Sequence, residues 1–133
     1  MATTTQDTRR AESQARAKLE SIKEMVKALD DDEAGRDDAI DAIHEDPLSV
    51  AVRSGWYTLA ESRRAMPEPE EYMILLCTGG PAVRIIGELG RYNEPESATI
   101  QYQDWFTPWV ELPLGEGEEE TVLTYAQQFY FGS

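Results

Sequence analysis

Apolar residues recur at Ala15, Leu19, Ile22, Val26 and Leu29, with spacings of 4, 3, 4 and 3, and Met25 widens the stripe. That period predicts a helix from about Asp7 to Leu29, behind a disordered N-terminus of residues 1–6. Lys and Arg fill its other faces. The stripe is read as packing on its own domain. The alternative is a short dimer seam, although two heptads fall short of a coiled coil. Asp30 to Gly35 breaks the pattern. Arg36 to Glu45 then reads as a second helix with Ala39, Ile40 and Ile43 inward, and it stops at Asp46-Pro47 because the residue before proline avoids the α region. Residues 7–46 therefore form a helical hairpin.

Beyond Pro47 the period changes to two. Leu48, Val50 and Val52 alternate with small or polar neighbours and predict a strand reaching Trp56 or Tyr57. Residues 58–70 are a loop. Glu71–Thr78 is apolar enough for a central strand, Gly79-Gly80-Pro81 a tight turn, and Ala82–Leu89 its hairpin partner. Ser97–Gln103 alternates again, with Ala98, Ile100 and Tyr102 on one face. Residues 104–110 read at most as an edge strand, since Pro108 lacks the donor a central strand needs. Glu118–Tyr130 is a final helix with Val122, Leu123, Ala126, Phe129 and Tyr130 inward, and Glu118, Glu119 and Glu120 in its first turn suit the helix dipole. The expected class is α+β: the N-terminal hairpin, an antiparallel meander of three to four strands, and a C-terminal helix. Residues 7–133 make one domain, with the sheet and last helix in 47–133. A chain of 133 residues buries roughly two-thirds of its unfolded surface, enough for a core without staples.

Charge changes this picture most. Residues 1–27 carry six basic and four acidic side chains, a net of +2; residues 28–133 carry six basic and 22 acidic, a net of −16; together they give −14. Nine carboxylates fall within residues 30–46 against the single Arg36. Such a surface repels nucleic acid and membranes and attracts basic protein surfaces. Some of these acids serve helix dipoles. Asp37, near the start of its helix, is one of them, yet with Asp41 and Glu45 at i, i+4 and i+8 it stands in a row, ~6 Å apart along the axis at 1.5 Å per residue. Like charges so placed cost roughly 0.2–0.5 kcal/mol per pair. With Asp30, Asp31, Asp32 and Glu33 they form an acidic ridge that can occupy Lys and Arg built to receive DNA phosphates. Tyr57 and Trp109, beside loops, are the aromatic anchors expected next to it, while much of the remaining aromatic set is read as core.

Catalytic and metal chemistry find little support. An EF-hand register from Asp30 puts Asp32 third, Gly35 sixth and Asp41 twelfth, but it puts Ala34 fifth, Asp37 at the apolar eighth position, and Asp where a bidentate Glu is needed. His44 and Cys77 are the chain's only His and Cys, too few for zinc, and they fall in different elements. His44 suits a helix C-terminus, and Cys77 sits in the apolar run Met73–Cys77 as a reduced core thiol of a cytoplasmic protein. No secretory leader pattern and no run of ~20 apolar residues is present. No catalytic residue, metal or cofactor is assigned.

The stretch Glu71–Leu89, the run Tyr102-Gln103-Asp104-Trp105 and the ending Phe129-Tyr130-Phe131-Gly132 resemble small proteins carried by phages and other mobile elements of proteobacteria. The resemblance covers about residues 46–132 and carries no catalytic motif. It implies a context in which small acidic proteins inhibit host defence, as anti-CRISPR and antirestriction proteins do. The expectation is a non-enzymatic inhibitor that binds a basic nucleic-acid-handling host protein, such as a CRISPR effector, through a DNA-mimicking face. The alternative is a phage-encoded adaptor or regulator acting by protein contacts, as a homodimer through its first helix.

Overall fold

A computed structural model describes residues 2–30, 33–62, 68–104 and 107–131, with residues 2–8, 33, 34, 61 and 62 as backbone only. The element order is α1 (Ala2–Leu29), α2 (Glu33–Glu45), β1 (Ser49–Ser54), α3 (Leu59–Ser62), β2 (Pro69–Cys77), β3 (Ala82–Glu88), β4 (Thr99–Gln103), β5 (Val110–Glu111) and α4 (Glu118–Ala126), with a 3-10 turn at Arg91–Asn93. The five strands form one antiparallel sheet in the order β1-β2-β3-β4-β5. The class is α+β, as the periodicities predict.

The helical stripe of α1 is used inside the molecule. Ala11, Ala15, Leu19, Ile22 and Leu29 are buried, and α1 packs against α2, α4, β3 and β4. Leu19 therefore has no surface to offer a dimer seam. From α2, Ala39 and Ile43 join the same core with Ile40 half-buried beside them. The helix α1 begins at Ala2, ahead of the Asp7 start that the stripe suggests.

Register explains which sheet residues meet the helices. Val50 lies across from Ile74, Ile74 from Ile85, and Ile85 from Ile100, one row across four strands on one face. The three isoleucines are fully buried, whereas Val50 is 40% exposed. The helices pack mainly on β3 and β4, the C-terminal segment covers β2 through Phe131 on Tyr72, and this cover stops short of β1. On the other face Met73, Leu75 and Ile86 are half-exposed.

Several expectations are corrected here. The first strand ends at Ser54 and does not reach Trp56; Gly55 follows, and a helical turn at Leu59–Ser62 interrupts the expected loop. Cys77 lies at the rim of the core rather than inside it. A register irregularity between Leu75 and Cys77 breaks the alternation of β2, so Cys77 pairs with the buried Val83 and packs half-buried against the core, its sulfur 3.9 Å from the Pro81 carbonyl. The last helix ends at Ala126. Tyr130 is exposed, and Tyr125 takes the buried place among the aromatics. A fifth strand of two residues, Val110–Glu111, extends the meander at its edge, just past Pro108.

The Gly79-Gly80 turn holds as expected, with φ of 94° and 137°, a region that favours glycine. Gly87 matters for a different reason. The Tyr72 ring crosses β3 above it, so that the Tyr72 hydroxyl donates to the Ser97 carbonyl at 2.6 Å. A Cβ at Gly87 would collide with the Ser97 carbonyl and the Tyr72 ring. Phe131 packs on the same tyrosine, ring centroids 4.9 Å apart. Gly87→Ala is expected to destabilise the fold by about 2 to 3 kcal/mol, the cost of overpacking against backbone. Urea unfolding measures this; a loss below about 0.5 kcal/mol would show that the Ser97 backbone and the Tyr72 ring both move aside freely.

Candidate partner-binding surface

The carboxylates divide by what they touch. Glu118 binds Lys23 at 2.5 Å and accepts the Gly115 amide at 2.6 Å, tying α4 to α1. Glu20 also reaches Lys23, at 3.6 Å, and Glu12 reaches Arg16 at 3.8 Å. Glu71 pairs with Arg53 across β1 and β2 at 2.6 Å. Asp46 accepts a 2.7 Å hydrogen bond from the buried Tyr125 hydroxyl. Glu118, Glu71 and Asp46 thus hold elements together, while Glu12 and Glu20 pair within α1.

Asp37, Asp41 and Glu45 do neither. All three are exposed on α2, and among the described residues none has an ion-pair partner. The row predicted from their spacing exists on a regular helix whose opposite side is fixed by Ala39 and Ile43. Asp30 is exposed at the turn between α1 and α2. Asp31 and Asp32 lie outside the described residues. Glu33 opens α2, and its side chain lies outside them as well.

The orientation of the row is locked at its C-terminal end. His44 Nε2–H donates to the Gln128 carbonyl at 2.6 Å, and its ring packs on Phe129 at 5.6 Å. One residue past the helix end, Asp46 holds Tyr125. Burial, then the Asp46 hydrogen bond, pushes the Tyr125 phenol well above its ordinary range, so it stays a donor at any physiological pH. His44 thus links α2 to the C-terminal segment, a tertiary role beyond the helix-dipole position that its place in the sequence suggests.

The aromatic expectations divide. Tyr57 is exposed. Trp109 is half-buried, because the Arg84 guanidinium lies 3.9 Å from its ring centroid. Arg84 is itself fixed by Gln101 Oε1 at 2.8 Å, and burial lowers its pKa. Trp109 is therefore a partner of Arg84 first, and it lies on β5's side of the sheet, away from Tyr57. The residue that sequence reasoning missed is Trp56, which is fully exposed beyond β1 with Leu59 exposed nearby. The one available signal was the preceding Gly55, which ends the strand before the indole can turn inward.

Among the described residues no group of three His, Cys, Asp or Glu side chains could hold a metal, and no helix is long and apolar enough to cross a membrane. Searches of protein-family models, curated proteins and solved structures find no match to this chain.

The two kinds of acid respond differently to substitution. The Lys23 hydrogen bond, then the Gly115 amide, hold the Glu118 pKa below its ordinary 4.5. A depressed carboxyl stabilises the fold fully above that ordinary value and loses its contribution as pH falls through the folded value. Glu118→Gln is therefore expected to lower the melting temperature at neutral pH and to match the parent at a pH well below 4.5. Asp41→Asn, which relieves two like-charge contacts, should be neutral or stabilising by about 0.5 kcal/mol at neutral pH. Thermal melts followed by circular dichroism at both pH values check the pair. A destabilised Asp41→Asn would mean that the row carries structural load.

Proposed function

We propose that this protein is a non-enzymatic inhibitor that binds a basic, nucleic-acid-handling protein, with the outer face of α2 occupying cations that otherwise receive DNA phosphates. One observation carries the reading. Three carboxylates stand in line at one-turn spacing, exposed, without cation partners among the described residues, on a helix anchored at its far side. A helix under selection for stability alone gains from replacing one of them with a neutral or basic residue. A partner rich in Arg and Lys supplies the missing counter-charge.

The formal charge of −14 supports the same direction, since it accelerates encounter with a basic surface and disfavours contact with nucleic acid or an anionic membrane. A lone row of like-charged carboxylates also lacks the acid, base and nucleophile that catalysis combines. Taking up the resemblance to proteins of mobile elements read in the sequence, we propose as the target class a host defence complex that handles DNA in the bacterial cytoplasm, with CRISPR effectors first among them. The second reading, an adaptor acting by protein contacts alone, is favoured by the exposed Trp56 and Tyr57, which lie outside the ridge.

Purified effector complexes and DNA-binding proteins, challenged with the chain in the presence and absence of double-stranded DNA, provide the test. DNA should compete with the chain, and binding should weaken steeply as salt rises. Combining Asp37→Lys, Asp41→Lys and Glu45→Lys should leave the circular dichroism spectrum unchanged and reduce affinity roughly 100-fold or more. A folded triple variant that binds and inhibits like the parent would remove the ridge from the mechanism.

A further inference from the structure

The other surface that lacks a partner is the free edge of β1. It is the terminal strand of the meander, and among the described residues it pairs with β2 alone. Natural edge strands are usually blunted by lysine, proline, a bulge or a covering element. Ser49, Val50, Ala51 and Val52 provide none of these. The single charge of the strand, Arg53, is already paired with Glu71, and the only register irregularity with β2 falls between Arg53 and Ser54. Because the helical layer ends before β1, Leu48, Val50 and Val52 keep 60%, 40% and 48% of their surface in solvent.

We infer that β1 is the pairing edge of a homodimer, in which the β1 strands of two copies meet antiparallel about a two-fold axis at Ala51. Sequence order selects a second copy as the occupant. The segment Val50-Ala51-Val52 reads the same in both directions. A two-fold at Ala51 therefore sets Val50 against the partner's Val52, and Ala51 against the partner's Ala51. Ser49 faces the partner's Arg53, so no like charges oppose one another in the ladder. Antiparallel pairing keeps each residue on the same face as its opposite number. The row Ile100-Ile85-Ile74-Val50 then continues into the second copy through the partner's Val52. Among the described residues, the helices that pack on the sheet lie over β3 and β4. The same axis brings Trp56, five positions from Ala51, level with the partner's Asp46 and beside the partner's Pro47 and Leu48. That supplies apolar cover for a fully exposed indole and a 60% exposed leucine.

The charge of −14 on each copy opposes association at long range, while the contact itself is apolar and backbone-mediated. Salt should therefore strengthen this dimer, the reverse of its effect on a contact between the acidic ridge and a basic partner. That opposition separates failure of this inference from failure of the ridge reading.

Sedimentation equilibrium of the full chain should show a reversible dimer of twice 15.0 kDa. For a small interface the dissociation constant is expected on the order of 10 micromolar, tightening between about 0.05 and about 0.5 M salt. Val52→Lys places a charge at a half-exposed site and should give a folded monomer. In a chain carrying Cys77→Ser, Ala51→Cys should oxidise to an interchain disulfide, because residues facing across the axis have Cβ atoms about 5 Å apart. Arg53→Cys in the same background should not, since its opposite number is Ser49. A parent chain monomeric up to about a millimolar would overturn the inference. So would a dimer that survives Val52→Lys, one that salt weakens, or cross-linking at 53 as fast as at 51.

Discussion

The helical layer is narrower than the sheet it covers, and most of the molecule follows from that mismatch. Three strands, β2 to β4, have the helices and the C-terminal segment above them and bury Tyr72, Ile74, Leu76, Val83, Ile85 and Ile100. The meander continues past that cover on one side to β1, where residues in the same rows meet solvent. An antiparallel sheet tolerates one wet face, so a half-covered sheet of this kind is stable. The layer itself is closed by aromatics. Tyr72 packs on Phe131, Phe131 lies near Phe129, and Phe129 contacts both Tyr125 and His44. This chain of rings joins β2, the C-terminal segment, α4 and α2, and it fixes where α2 can sit.

The same stitching decides which carboxylates remain available. Tyr125 takes Asp46, and Lys23 takes Glu118, because those acids fall where elements converge. Asp37, Asp41 and Glu45 fall on the side of α2 turned away from Ala39 and Ile43, where they are exposed and meet no cation among the described residues. Two basic residues of α1, Arg16 and Lys23, are engaged instead by acids on their own helix and on α4. The charge split along the chain is therefore kept in the folded molecule.

Periodicity made the fold legible where burial follows the stripe of a single element. The positions Ala15, Leu19, Ile22 and Leu29 bury as their spacing says, and so do Ala98, Ile100 and Tyr102. It was not legible where exposure depends on how far a neighbouring layer extends. Val50 and Val52 alternate as well as Tyr72 and Ile74 do, yet only the latter pair is buried in the core. Cys77 sat in an apolar run that looked uniformly buried, and it does pack against the core, but it ends the strand at a register irregularity and stays half-buried. Tyr130 continued a helical pattern that the chain abandons at Gln127. Trp56 carried no local signal of its exposure beyond Gly55. The ridge was legible because it is local: three side chains on one helix need no knowledge of the rest of the fold, provided that the helix forms and its apolar face packs.

The ridge and the free edge lie on different elements but share one geometric consequence. A two-fold at Ala51 runs perpendicular to the sheet, so it keeps both helical layers on the same side of the joined sheets. Two copies of α2 would then present their carboxylates toward the same half-space, with three carboxylates from each ridge. A basic groove that accommodates a long stretch of DNA could engage both rows at once, with the second contact made intramolecularly and at high effective concentration. A target with one short basic patch could engage only one. Dimerisation through an apolar edge would thus select among basic partners by the length of their DNA-binding surface, a property that the charge of a single acidic domain cannot sense.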